Sequence, residues 1–266
     1  MGEQSGPKMM HLGDSFNTWV RYCEGTEALV HLTHDGLANT ISLPEIYRII
    51  GMEDARITQA EWKAEQAKKE IDAGFATLHA HSLLGLWGAL ECLIEDIFKA
   101  SIRADMSLLT SSAFSKIKLP LDILFGPDGA REEAVLLELV RSTSSEKSVG
   151  ITQFERILNP IGLGGEVPMK IKDAVFRAQQ IRHVWAHRGG IADAAFVARC
   201  PDRAQIGDKL TMDSTEFLHL MHGLHMYGWV IANRHLRSIG EKQVAVACHG
   251  YKDVSPVAPE EPEAAG

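Results

Sequence analysis

Arg182 and His187 stand with four residues between them in the run IRHVWAHRGGIAD, Ile181 to Asp193. A guanidinium is always charged and can hold a phosphate through two parallel N–H donors. An imidazole moves a proton near neutral pH. The two suit phosphodiester chemistry, with arginine stabilising charge on phosphoryl oxygens and histidine serving as acid or base. His183 and Arg188 flank them. On a straight helix, positions five apart point about 140° from each other. One intact helix therefore does not converge the pair. Gly189 and Gly190 offer a way out: a helix that ends near His187 and unwinds there lets the imidazole swing toward the guanidinium. A helix C-terminus also favours a protonated imidazole. The structural alternative is a surface ion network or a helix cap.

The elements that must position these groups read as helices. Pro168 opens the helix carrying the pair, with an apolar stripe of Ile171, Ala174, Val175, Ala178, Ile181 and Trp185. A short helix is expected near Ala194 to Arg199. Asp213-Ser214-Thr215-Glu216 caps a long closing helix to about Ile239. Thr58-Gln59-Ala60-Glu61 reads as the cap of a long segment that Gly74 kinks. Its second half carries the stripe Leu83, Leu86, Trp87, Leu90, Leu93, Ile94, Ile97 and Phe98. There, Gly85 and Gly88 either admit a neighbouring helix or weaken their own. Ser42-Leu43-Pro44-Glu45 and Thr152-Gln153-Phe154-Glu155 read as two further caps. Residues 1–13 read as frayed, with a short helix opening at Asp14 or Ser15. Residues 110–131 and the run RSTSSEKS read as irregular. A strand is expected only at Val244 to Cys248, before the Pro/Glu-rich end VSPVAPEEPEAAG, which reads as disordered. The expectation is an all-α helical bundle at 58–240, a helical N-terminal extension at 1–57 and a mostly disordered tail at 241–266.

The 266 residues carry a net charge of −8, which argues against indiscriminate nucleic-acid binding. The charge is uneven. From Pro168 to Arg203, Lys170, Lys172, Arg177, Arg182, Arg188, Arg199 and Arg203 outnumber Asp173, Asp193 and Asp202. A local basic surface matters more to RNA than the global sum; the plain alternative is ordinary solvated helix charge. Cys23, Cys92, Cys200 and Cys248 form no CxxC pair, so neither a thiolate zinc site nor a disulfide framework is suggested. No apolar run spans a bilayer and no signal peptide is visible, so the cytoplasm is the expected location.

Rival chemistries fare worse. His183 and His187 are four apart, a spacing that can bind zinc, but no HExxH motif is present. His219, His222 and His225 lie along the closing helix, with Glu216-x-x-His219 resembling half a di-iron site that has no second half. They read as packed or half-exposed histidines. His31, His34, His79 and His81 read as surface residues. Trp87 and Trp229 read as core anchors, and Trp19 and Trp62 as core or interface. Gly162, Gly164 and Gly165 lack the Lys-Ser/Thr of a phosphate-binding loop, and no serine has GxSxG context. No metal and no cofactor is expected.

The stretch resembles the signature of the HEPN superfamily, an Arg followed four to six residues later by a His with a polar residue after the Arg. His183 holds that polar position. GGIAD resembles the continuation found in the RiboL-PSP-HEPN branch. LLGLWGALECLIEDIF resembles that branch's first helix, with Glu91 at the matching acidic position. The likeness spans about Thr58 to Gly240. The departures are His183 where Asn is commoner, Arg188 where Asn is frequent, and Trp185 inside the motif. The resemblance implies a helical bundle that homodimerises, bringing two Arg…His motifs into a composite cleft, and a metal-independent endoribonuclease. Arg182 and His187 would then be catalytic, with His183, Arg188 and Glu91 contacting substrate. It implies RNA as substrate, a role in toxin–antitoxin or phage-defence systems, and an antitoxin or regulatory protein as partner. A non-catalytic RNA-binding or protein-interaction module on the same surface is the alternative, and a histidine-rich metalloprotein is a third.

Overall fold

The computed structural model describes residues 6–124, 129–143, 149–246, 248 and 251. The helices are α1 (Gly6–Ile41), α2 (Leu43–Ile49), α3 (Asp54–Asp72), α4 (Ala76–Ala104), α5 (Leu121–Leu124), α6 (Ala130–Thr143), α7 (Thr152–Leu158), α8 (Met169–Arg188), α9 (Ala194–Arg199) and α10 (Ser214–Ser238). The described residues contain no strand, only an isolated antiparallel bridge between Ile191 and Lys209. The all-α expectation holds. No described helix is long and apolar enough to cross a membrane.

α4 is the central pillar, packed by α1, α6, α7, α8 and α10. Its three-and-four stripe is fully buried at Leu83, Leu86, Leu90, Ile94 and Phe98. Each such side chain contributes about 1.5–3 kcal/mol on leaving water. α10 lies against α8 so closely that a Cβ at Gly223 would overlap the Ala174 methyl and come within 2.8 Å of the Tyr251 hydroxyl.

The N-terminal segment departs from expectation. In place of frayed residues and a short helix, α1 is one helix from Gly6 to Ile41, passing through Gly13, Gly25 and Gly36. Each glycine costs a helix about 1 kcal/mol, and burial of Trp19, Cys23 and Val30 outweighs it. The Trp19 indole lies on Gly228 of α10, and the Tyr22 hydroxyl lies on Gly85 of α4. Trp19, Cys23 and Val30 belong to the same hydrophobic cluster as core residues of α4, α8 and α10. The expected boundary between residues 57 and 58 falls inside α3.

Of the four expected caps one forms, at Asp213, and another that was not expected forms at Asp193. The Asp213 side chain accepts from the Glu216 N–H at 2.8 Å, and Asp193 from the Phe196 N–H at 2.9 Å. The other three expected caps do not form. Ser42 has helical backbone angles and makes no side-chain cap, Thr58 lies inside α3, and Thr152 is the first residue of α7. A capping side chain needs an extended backbone at its own residue. At Gly74 the chain breaks into two helices, with Gly74 at φ +65° and Phe75 at φ +60°, rather than kinking one.

A buried polar cluster ties α7 to α10. The Glu155 carboxylate accepts from the Tyr227 hydroxyl at 2.7 Å and from Arg234 Nη1 at 2.8 Å. Arg234 also donates to the carbonyls of Leu163, Gly165 and Glu166, closing the glycine-rich link. Beyond α10, Val244 to Val246 form no strand; Val244 exchanges two hydrogen bonds with the Asn233 side chain, and Tyr251 is buried in the core. Most of the segment expected to be disordered, 252–266, lies outside the described residues, as do 1–5, 125–128 and 144–148 of the expected frayed and irregular stretches.

Candidate functional site

α8 presents the residues singled out above. Ile171, Ala174, Val175, Ala178, Ile181 and Val184 face the core. That leaves Arg182 half-buried and His183, His187 and Arg188 exposed. The helix end is locked. Gly189 and Gly190 take left-handed angles, φ +60° and +86°, and the Gly190 N–H donates to the Val184 carbonyl at 3.3 Å. The Trp185 ring lies 3.0 Å from where a Gly190 Cβ would stand, so only glycine fits both the angle and the contact. The next residues are pinned by Leu210 N–H donating to the Gly190 carbonyl and Ala192 N–H to the Asp208 carbonyl, each at 2.8 Å.

The consequence corrects one expectation. α8 runs unbroken through Arg188, so His187 does not unwind toward Arg182. No hydrogen bond joins the two side chains. Arg182 instead faces α4, its Nη2 4.0 Å from Glu91 Oε2. The other Glu91 oxygen accepts from the Trp87 indole N–H at 2.7 Å. His187 faces His183, with ring centroids 4.8 Å apart. Arg188 turns to Asp193 at 3.5 Å. The five candidate residues thus fall into three groups around the end of α8: Arg182 with Glu91 of α4, His183 with His187, and Arg188 with Asp193.

Partial desolvation favours the neutral form of His183, and the charges of His187, Arg182 and Arg199 reinforce it against Asp193. Asp193 stays ionised below the usual carboxylate range because the Phe196 N–H donates to it, with Arg188 adding to the effect.

The basic stretch is less free than its composition suggests. Arg177 pairs with Asp202, Lys172 with Glu166, and Arg203 with both oxygens of Glu216 and with the Thr211 carbonyl. Arg199 donates to the buried Gln180 at 2.9 Å. Glu91, Glu166 and Glu216 lie outside the stretch, so the sequence count could not include them.

The histidines of α10 disperse. His219 stacks on Tyr251, His222 lies 3.9 Å from Glu27, and His225 accepts from Trp229 at 3.2 Å. Glu216, the acidic member of the half-site pattern with His219, is taken by Arg203. No group of three or more His, Cys, Asp or Glu among the described residues is arranged to hold a metal ion. Two surface assignments are corrected: His79 is fully buried and His34 half-buried, and they meet across α4 and α1. Burial of His79 was legible, since it continues the apolar stripe four residues before Leu83. Trp19 is core, Trp62 is exposed, and Trp229 is half-buried beside Phe16.

No protein-family model matches the chain, and no curated protein or solved structure is significantly similar to it.

Proposed function

We propose that the chain is a metal-independent endoribonuclease of the HEPN type, its active site completed where two copies of α8 meet in a homodimer. The observation that carries this reading is the divergence of Arg182 and His187 on an unbroken, glycine-locked helix end, with both side chains reachable from solvent. Using both on one phosphate requires the missing group from a second chain, and a second α8 brings both.

The chemistry then follows from the residues. The RNA 2′-hydroxyl attacks the adjacent phosphorus and gives its proton to one His187. The His187 of the other copy, protonated, delivers a proton to the departing 5′-oxygen as the P–O bond breaks. The products are a 2′,3′-cyclic phosphate and a 5′-hydroxyl, and no metal enters. Arg182 stabilises charge on the phosphoryl oxygens, while His183 and Arg188 contact the flanking backbone. Glu91 holds the resting guanidinium in place. The role as a cytoplasmic toxin or phage-defence effector, restrained by an antitoxin or regulatory protein, rests on the resemblance of the motif.

A second reading is a non-catalytic RNA-binding or protein-interaction module, and one observation favours its protein-interaction form: the Glu91 carboxylate sits beside Arg182 and opposes an anionic ligand. Incubation with RNA and a chelator separates the two. The ribonuclease cuts, and His187→Ala abolishes cutting with the circular-dichroism spectrum unchanged. Binding without cutting selects the second reading, and cutting that survives His187→Ala removes His187 from the site. Growth arrest on expression, relieved by Arg182→Ala, tests the biological role.

A further inference from the structure

His183 and His187 do more than flank a phosphate site. Positions four apart on a helix differ by about 40° around the axis and about 6 Å along it, so they share a face. Here the two rings stand with centroids 4.8 Å apart and planes inclined by 60°. Both are exposed, and neither makes a hydrogen bond to another described residue. Two imidazole nitrogens bound tetrahedrally to one ion at 2.0–2.1 Å stand about 3.3 Å apart. Side-chain rotation alone brings rings at this separation to that spacing. The helix end beneath them is fixed by the Gly190–Val184 hydrogen bond, so little ordering remains to be done on binding.

We propose that His183 and His187 form a bidentate site for a divalent transition ion of the zinc class, and that its occupation withdraws His187 from proton transfer. The second half rests on the ribonuclease reading; the first does not.

The surroundings permit the ion. The Asp193 carboxylate acts on His183 and supplies opposite charge. Of the guanidiniums that oppose a cation, Arg188 is drawn to Asp193, Arg182 faces Glu91 and Arg199 is held by Gln180. With no third His, Cys or carboxylate among the described residues arranged to complete a cage, water takes the remaining positions. Two imidazoles and water select zinc, nickel or copper over magnesium, which prefers oxygen donors. A His187 nitrogen whose lone pair is on the metal cannot take up a proton.

Calorimetric titration of the full chain with zinc chloride near neutral pH, beside His183→Ala and His187→Ala, tests the site. Zinc binds the wild type, and either variant loses about tenfold or more in affinity because the second ligand no longer acts at high local concentration. Circular dichroism checks that both exposed substitutions leave the fold intact. Magnesium chloride gives no comparable binding. Equal zinc affinity in all three proteins, or none in the wild type, overturns the site. Added zinc then slows RNA cutting by the wild type at the concentration where it binds; cutting unaffected by bound zinc overturns the switch. A chain that binds zinc through this pair but cuts no RNA keeps the site and removes the ribonuclease reading.

Discussion

His34 and His79 meet nitrogen to nitrogen, Nε2 to Nε2, at 3.2 Å. The His79 Nδ1 lies 2.7 Å from the Met212 carbonyl, which can only accept, so that nitrogen carries the proton. In a neutral ring the His79 Nε2 is then an acceptor, and His34 donates to it. Phe217 stacks on His79 at 4.9 Å and Phe75 on His34 at 3.7 Å. The contact joins α1, α4, the approach to α10 and α10 itself.

Protonation of both rings breaks this contact, because neither Nε2 then has a lone pair to accept with. Desolvation lowers the pKa of both rings below the ordinary 6.5, outweighing Asp213 and Glu70 near His79 and Asp35 near His34. The unfolded chain therefore binds more protons than the folded one once the pH drops below about 6.5. The stability these groups contribute is fully present above that value and declines as the pH falls through it toward the folded values. Urea unfolding should give a lower midpoint at about pH 5.5 than at about pH 7.5. An unchanged or higher midpoint at acid pH would sink the assignment.

Arg234 and Glu155 are a nearly buried ion pair whose side chains are 10% and 12% exposed. Removing one partner strands the other charge, a loss of about 3–5 kcal/mol. Arg234→Met also frees three loop carbonyls. Denaturant titration should show that loss for either Arg234→Met or Glu155→Gln. A double variant less damaged than the sum of the two would confirm that they act as a pair.

Two helix glycines should respond in opposite ways. A methyl at Gly228 would fall on the Trp19 indole, so Gly228→Ala should destabilise by about 1–3 kcal/mol. Gly88 has nothing within 4 Å of its missing Cβ, so Gly88→Ala should stabilise α4 by about 0.5–1 kcal/mol. Melting temperatures moving in the same direction for both would contradict the packing of α1 on α10.

Glu91→Gln keeps an oxygen to accept from Trp87 and removes the charge facing Arg182. RNA or a phosphate analogue should bind the variant several-fold more tightly, by about 1 kcal/mol or less for a partly exposed pair. Weaker binding would instead make the carboxylate a substrate contact.

The parts legible in the sequence are those set by local chemistry. Pro168 before α8, Gly189 after it, and Asp193 and Asp213 ahead of α9 and α10 each act on their own few residues. The apolar stripe of α4 is likewise a local repeat. What escaped depends on distant partners. Nothing near Gly13, Gly25 or Gly36 announces a continuous helix, because the burial that stabilises α1 comes from α3, α4 and α10. The candidate site divides in the same way. The residue types on α8 were visible, whereas the turn of Arg182 toward Glu91 and the pairing of the basic stretch with Glu166 and Glu216 are long-range facts. Unwinding at His187 failed because Trp185 and the bridge at Ile191 lock the helix end.

The seating of Trp19 on Gly228 also imposes an order in time on the newborn chain. α1 leaves the ribosome before α10, and the surface that buries its indole is made some two hundred residues later. At about 5–20 residues per second, translation takes roughly 10–40 s to cover that interval. Throughout it, α1 has α4 to lean on but not α10, and the helix bearing Arg182 and His187 lacks its neighbour as well. A nascent chain therefore cannot close this core, or present a finished α8 to a second copy, until α10 has been made.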